Sequence, residues 1–92
     1  MMVIMKKRKT LNAEILKHEI EIYCATMSTF WNNKDDEMYI NSKQAVYTLI
    51  ALMVYYMGED EDELKDFARR TLNGFIQFSD FNETTDNVYK EI

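Results

Sequence analysis

The sequence predicts an all-α fold, a small bundle of three main helices with room for a short fourth helix near the C-terminus. The 92-residue chain contains no proline and only two glycines, so it has few of the residues that make tight hairpin turns. Hydrophobic residues make up 47% of the chain, which is enough to form a core. A chain of this length forms one domain rather than two.

The first helix is predicted over residues 12–32. Asn12 is a suitable N-cap because its side-chain oxygen can accept a hydrogen bond from an early helical N–H. The apolar residues that follow are spaced by alternating steps of four and three, which places them on one stripe of a helix. They are Leu16, Ile20, Tyr23, Met27 and Phe30. This stripe is the predicted core-facing side.

The second helix is predicted over residues 42–57, after a polar loop at residues 32–36 and a cap at Asn41 or Ser42. Gly58 follows it, as expected where a helix ends in the left-handed conformation. Residues 45–57 are predicted to form the buried central part. At 13 residues this run is too short to span a bilayer. Its most apolar arc contains Val46, Leu49, Ile50, Leu52, Met53, Tyr56 and Met57.

The third helix is predicted over residues 60–78, with Asp60 as N-cap and Glu63 completing a capping-box-like pair. Its core stripe consists of Leu64, Phe67, Ala68, Thr71, Leu72 and Phe75. Gly74 lies inside this span, where it either ends the helix early or permits a close helix contact. Residues 85–92 are the expected short fourth helix.

Charge divides the chain into a basic N-terminal arm, residues 1–9, and an acidic domain, residues 10–92. The arm holds Lys6, Lys7, Arg8 and Lys9. Removing these four from the 11 basic residues leaves 7 against 16 acidic residues, so the domain has a net charge of −9. Such a body repels nucleic acid and anionic membranes and attracts basic partners.

The acidic residues suggest a function. Glu59, Asp60, Glu61, Asp62 and Glu63 are consecutive, and Asp35 and Asp36 are expected to join them in one negative surface. We expect a non-enzymatic protein-binding or regulatory module, with the extension that it is an inhibitor occupying a basic, nucleic-acid-binding surface of another protein. The competing hypothesis is a nucleic-acid-binding protein that uses the Lys6–Lys9 arm.

Self-association is a further expectation. Tyr47, Ala51 and Tyr55 form a tyrosine-rich strip on the less apolar side of the second helix, and tyrosine is common at interfaces because it buries area while its hydroxyl stays wet. Ile15 and Ile22 offer a second contact. Burial of the tyrosines inside the same chain is the alternative, and a homo-oligomer is the predicted assembly.

No residue pattern predicts catalysis, a cofactor or a metal. Glu14, His18 and Glu21 share a helix face, but zinc needs three or four strong ligands, and a solvated face is the simpler interpretation. The calcium-loop-like spacing of residues 80–91 lacks the glycine that such a loop requires at its sixth position. Cys24 is the single cysteine, which excludes an internal disulfide and favours a reducing, cytoplasmic setting.

Overall fold

The structure, a computed structural model, describes residues 12–82. It contains three helices: α1 (Ala13–Asn32), α2 (Asp36–Met57) and α3 (Glu61–Asn73). An irregular C-terminal segment, residues 74–82, follows α3. The described part of the chain contains no strand, so the predicted all-α bundle is confirmed. The predicted helix at 85–92 and the basic arm lie outside the described residues.

α1 forms as its sequence predicts. The Asn12 side chain accepts a hydrogen bond from the N–H of Ile15 at 3.0 Å, which satisfies one of the first N–H groups of the helix. From the predicted stripe, Leu16, Ile20 and Met27 are buried, and Tyr23 and Phe30 pack against the core from its edge. Cys24 is also fully buried, which widens the core-facing side of α1.

α2 begins at Asp36, so the predicted start at residue 42 and the predicted caps at Asn41 or Ser42 are wrong. The Asp35 carboxylate is the actual N-cap and accepts a hydrogen bond from the N–H of Met38 at 3.2 Å. No glycine or proline separates residue 36 from residue 42, so nothing interrupts the helix once Asp35 has capped it. The loop is thereby shortened to residues 33–35.

α1 and α2 form an antiparallel pair. The Trp31 ring, at the end of α1, lies 5.4 Å from the ring of Tyr39, near the start of α2. At the other end, Leu16 of α1 lines the same groove as Met57 of α2. α3 packs across the pair, and the Cys24 thiol donates to the carbonyl of Ala68 at 3.7 Å.

α2 is rotated about its axis relative to the prediction. Val46, Ile50 and Met53 are buried as expected, but Leu52 and Tyr56 are 40% and 71% exposed. Tyr47 and Ala51, from the arc predicted to be less apolar, are buried instead, and the ring of Phe81 in the C-terminal segment packs against Tyr47 at 5.4 Å. Residues 45–57 are therefore buried on one side of α2 only, and the other side faces solvent.

α3 is shorter than predicted and ends at Asn73 rather than at 78. Its N-cap is Asp60, as predicted, and Gly58 has the expected left-handed φ of 72°. Gly74 ends the helix because glycine is a poor helix former and because Ile76, not Phe75, turns into the core. Ile76 is 5% exposed and Phe75 is 53% exposed.

Candidate binding surfaces

The acidic run, residues 59–63, crosses the start of α3. Asp60 accepts a hydrogen bond from the N–H of Asp62 at 3.1 Å, and Glu61 pairs with Lys65 at 3.6 Å. Asp60, Asp62 and Glu63 are exposed, and Glu59 and Glu61 are half-buried. Acidic side chains at a helix N-terminus complement its dipole, so the fold accepts this charge density without a cationic partner for every carboxylate.

Asp35 and Asp36 do not join the acidic run. They lie at the start of α2, whereas Glu59 follows its end, and the 22 residues of α2 separate the two sites by about 30 Å at 1.5 Å per residue. At physiological ionic strength charges this far apart are screened from each other. The single negative surface predicted from the sequence is therefore two separate acidic sites.

An apolar groove lies at the end of α2 that leads into the acidic run. Leu16, Leu52, Tyr56 and Met57 line it, and its volume is about 290 Å³. The N–H of Glu59 donates to the carbonyl of Met53 at 3.1 Å, which holds the start of the run against the last turn of α2. We call the groove together with residues 59–63 the acidic groove. It combines an apolar floor with a carboxylate-rich edge.

A larger cleft, about 540 Å³, lies at the opposite end of the bundle, between α2 and the C-terminal segment. Its centre is Asp80, which is 7% exposed. The Asp80 carboxylate accepts hydrogen bonds from the Tyr39 hydroxyl at 2.7 Å, the Phe81 N–H at 2.7 Å and the Lys43 ammonium at 3.4 Å. These contacts join α2 to the C-terminal segment, and we call them the Asp80 clasp.

The clasp fixes Phe81 in a left-handed backbone conformation, with φ of 68°, which a residue with a side chain rarely adopts. Arg69 donates to the Phe81 carbonyl at 3.1 Å, and the Phe81 ring packs edge-on against Tyr47 at 5.4 Å. Hydrogen bonds on both sides of Phe81 thus offset the backbone strain. The sequence gives no signal of this contact because 41 residues separate Tyr39 from Asp80.

The Tyr39 hydroxyl keeps its proton over a wide pH range. Burial raises the pKa of Tyr39 far above its ordinary value, and the hydrogen bond to Asp80 and the negative charge of that carboxylate raise this pKa further. Tyr39 therefore acts in the cleft as a hydrogen-bond donor. Above the cleft, the exposed Trp31 ring stacks on Phe78 with centroids 4.7 Å apart.

The residues predicted for self-association are split between the core and the surface. Tyr47 is 1% exposed and Ala51 is 0% exposed within a single chain, so they offer no surface to a second copy, and their assignment to an interface is corrected here. Their cover is Phe81 and its neighbours, which the sequence does not place on α2. Tyr55 and Ile22 are 48% and 45% exposed, and Ile15 is half-buried.

The other residues considered for chemistry are His18, on the surface of α1, and Cys24, in the core. His18 Nδ1 lies 3.3 Å from the Glu21 carboxylate on the exposed side of α1. Among residues 12–82, no three His, Cys, Asp or Glu side chains are grouped so that they can hold a metal ion. Burial, and to a lesser extent the charge of Glu21, raises the pKa of the Cys24 thiol to about 12, so this thiol stays protonated near neutral pH.

Comparison with protein-family models, with curated proteins and with solved structures gives no match for this chain. Within the described residues, no helix has the length and apolar character needed to cross a membrane. The candidate contacts Lys6, Lys7, Arg8 and Lys9 lie outside the described residues.

Proposed function

We propose that this protein is a non-enzymatic binding module whose acidic groove receives a basic segment of another protein. The observation that carries the proposal is an apolar groove lined by Leu16, Leu52, Tyr56 and Met57, whose last residue, Met57, comes two residues before five consecutive carboxylates in the chain. A segment with one apolar anchor and flanking lysines or arginines matches both parts of this surface. Anchors in grooves supply affinity, and charges around them supply specificity and association rate.

The charge of the acidic run supports the choice of a basic partner. Asp60 caps α3 and Glu61 forms an ion pair with Lys65, so both carboxylates stabilise the fold. A helix start needs only one capping side chain, so the carboxylates of Glu59, Asp62 and Glu63 exceed that need. Over residues 12–82 there are 6 basic and 13 acidic side chains, a net charge of −7. This field attracts cationic surfaces and repels nucleic acid.

We propose further that this protein inhibits a nucleic-acid-binding partner. A partner whose basic surface normally holds nucleic acid presents closely spaced lysines and arginines, and the run at 59–63 offers closely spaced carboxylates in return. Occupation of that surface excludes the nucleic acid. The cell compartment that we infer is the cytoplasm, which agrees with a buried, protonated Cys24 thiol.

A binding role also agrees with the hydrogen bonding of Asp80 and the protonation of Tyr39 in the larger cleft. The Asp80 carboxylate already accepts three hydrogen bonds, and Tyr39 holds its proton strongly. A general acid or base needs a pKa near the working pH and access to the reacting atom. These two groups are instead engaged in joining the C-terminal segment to α2.

The proposal is tested by titrating the full-length protein with a helical peptide that has leucines on one face and lysines on the other, at an ionic strength of about 0.05 M. The variant Glu59→Gln/Asp62→Asn/Glu63→Gln removes three charges and keeps Asp60 and Glu61. We expect it to bind about tenfold more weakly, since three peripheral charges contribute about 0.5 kcal/mol each. Tyr56→Lys, in the groove, is expected to weaken binding as well.

The matched control is Glu21→Gln/Asp36→Asn/Glu37→Gln, which removes the same charge at exposed positions outside the groove and should bind almost as the natural protein does. Peptide binding that survives neutralisation of residues 59, 62 and 63 at low salt contradicts the proposal. The competing nucleic-acid hypothesis predicts a different result. Duplex DNA would then be shifted in a gel at low salt, and replacing Lys6, Lys7, Arg8 and Lys9 by glutamine would abolish the shift.

A further inference from the structure

The solvent-facing side of α2 carries a stripe with the spacing of a helix-packing face. Ala45, Thr48, Leu52 and Tyr55 follow one another at steps of three, four and three, which places them on one side of the helix. Leu52 and Tyr55 are 40% and 48% exposed, and Ala45 and Thr48 are half-buried. We call these four residues the α2 stripe.

The α2 stripe differs from the outer sides of the other helices because it lacks charge. The segment from Gln44 to Met57 contains no Asp, Glu, Lys or Arg. By contrast, the outer sides of α1 and α3 expose Glu14, Glu21, Asp62, Asp66 and Arg70. The polar side of a surface helix normally carries charges, so an uncharged outer side indicates contact with another apolar surface.

We propose that the α2 stripe packs against the α2 stripe of a second copy of this chain, with the two helices antiparallel. The sizes of its residues favour this pairing. In a two-fold arrangement each contact occurs twice, and an axis between Thr48 and Leu52 sets Thr48 opposite Leu52 of the second copy and Ala45 opposite Tyr55 of the second copy. Each small side chain then faces a large one, so the two helices can approach closely.

Charge favours the same arrangement. Two bodies with a net charge of −7 over residues 12–82 repel each other on most of their surfaces, and the uncharged stripe is the face where they meet at least cost. In the antiparallel orientation the two acidic runs lie beyond opposite ends of a helix about 30 Å long, and each run is nearer to the smaller acidic site of the second copy, Asp35 and Asp36, than to the other run. A parallel orientation would set the two runs side by side, where like charges repel.

The stripe extends over 11 residues, about 16 Å of helix, so the contact is smaller than a standard stable interface. We therefore expect a reversible dimer with a dissociation constant between about 10 μM and 1 mM. Sedimentation of the full-length protein across this concentration range measures it. The predicted result is a monomer at the lowest concentrations and a dimer at the highest.

Two variants test the face and one matched variant controls for charge. Thr48→Glu sets a charge near the two-fold axis and is expected to weaken the dimer by at least about tenfold. Leu52→Lys is expected to weaken it similarly. Thr29→Glu makes the same change at an exposed position on α1 and should leave the dimer intact. Far-UV circular dichroism and thermal unfolding establish that each variant folds.

The register is tested by mixing the two disrupting variants. The new negative charge of Thr48→Glu in one copy then lies opposite the new positive charge of Leu52→Lys in the other, so the mixture should dimerise more strongly than either variant alone. A protein that stays monomeric up to about 1 mM overturns the proposal, as expected if another protein or the chain's own terminal residues cover the stripe. A dimer that Thr48→Glu does not weaken overturns it as well.

Leu52 belongs to both the α2 stripe and the acidic groove, so the dimer and the proposed function are distinguished by variants that change only one of the two surfaces. Thr48 lies nine residues before Met57, about 13 Å along α2, so Thr48→Glu should leave peptide binding at the acidic groove nearly unchanged. The variant Glu59→Gln/Asp62→Asn/Glu63→Gln should in turn leave the dimer intact.

Discussion

At the scale of single residues, the hydrogen bonds that Asp80 accepts could not be predicted from the sequence pattern. Asp80 is an ordinary residue in a polar stretch of sequence, yet in the fold it receives hydrogen bonds from Tyr39, Lys43 and Phe81. A buried carboxylate is stable only when such donors satisfy it. Tyr39 lies before the predicted start of the second helix at residue 42, and the helix that actually begins at Asp36 brings it to Asp80.

The Tyr39–Asp80 contact predicts how stability depends on pH. Tyr39→Phe removes a hydrogen bond to a charged group and should lower the free energy of unfolding by about 1.5–3 kcal/mol at neutral pH. The pKa of Tyr39 in the folded state is raised above its ordinary value of 10.0. The unfolded state therefore loses this proton first, and stability is retained below about pH 10 and falls as pH rises further.

Urea unfolding at several pH values measures this dependence. Tyr39→Phe should show a smaller loss of stability above about pH 10 than the natural protein, because the variant has no proton to lose at that position. Tyr23→Phe, at the edge of the core, is the control and should show the same loss of stability above about pH 10 as the natural protein. An equal alkaline loss in Tyr39→Phe and in the natural protein would argue against the role given to Tyr39.

At the scale of helices, local signals account for most of the boundaries. Asn12, Asp60 and Gly58 cap helices as their residue types predict. The wrongly predicted start of α2 and end of α3 have physical causes. Residues 32–36 contain several residues that suit a cap, and only packing decides that Asp35 is used. Gly74 ends α3 because Ile76 gains burial by leaving the helix, which the spacing of apolar residues does not show.

The two glycines allow a matched prediction about helix ends. Gly58 has φ of 72°, and Gly74 has φ of −73°. Gly58→Ala should therefore lower the free energy of unfolding by about 1 kcal/mol, because an L-residue is strained in the left-handed region. Gly74→Ala should change it by less than about 0.5 kcal/mol, since a favourable helical propensity opposes a tight contact of the added carbon with the Thr71 carbonyl. Thermal or urea unfolding compares them, and an equal cost at both sites would contradict this assignment.

At the scale of the whole molecule, three helices leave one side of α2 open and the C-terminal segment closes it. Phe81 and Ile76 enter the core from this segment, and Phe81 covers Tyr47. The sequence predicts that Tyr47 and Ala51 contact a second subunit, whereas the fold buries both within one chain. A stretch of residues without periodicity gives no indication of where it packs, because periodicity reports only regular elements.

The closing role of the C-terminal segment predicts a large difference between two phenylalanines. Phe81→Ala should lower the free energy of unfolding by about 3–4 kcal/mol, since it leaves a cavity against Tyr47 in the core. Phe78 is 41% exposed, so Phe78→Ala should cost about 1 kcal/mol. Urea unfolding of both variants provides the comparison. Similar costs for the two changes would mean that the segment does not close the core as described.

The sequence by itself determines the all-α class, the three helices, the caps Asn12, Gly58 and Asp60, and the acidic run, because these depend on neighbouring residues and on spacing along one helix. The tertiary structure decides which side of α2 is buried, since that side is chosen by Phe81 and Ile76 from a distant part of the chain. It also separates Asp35 and Asp36 from the run at 59–63, through the length of α2, and sets Leu16 of α1 beside Met57. The acidic groove exists only after that packing, because its apolar floor combines Leu16 of α1 with residues from the far end of α2.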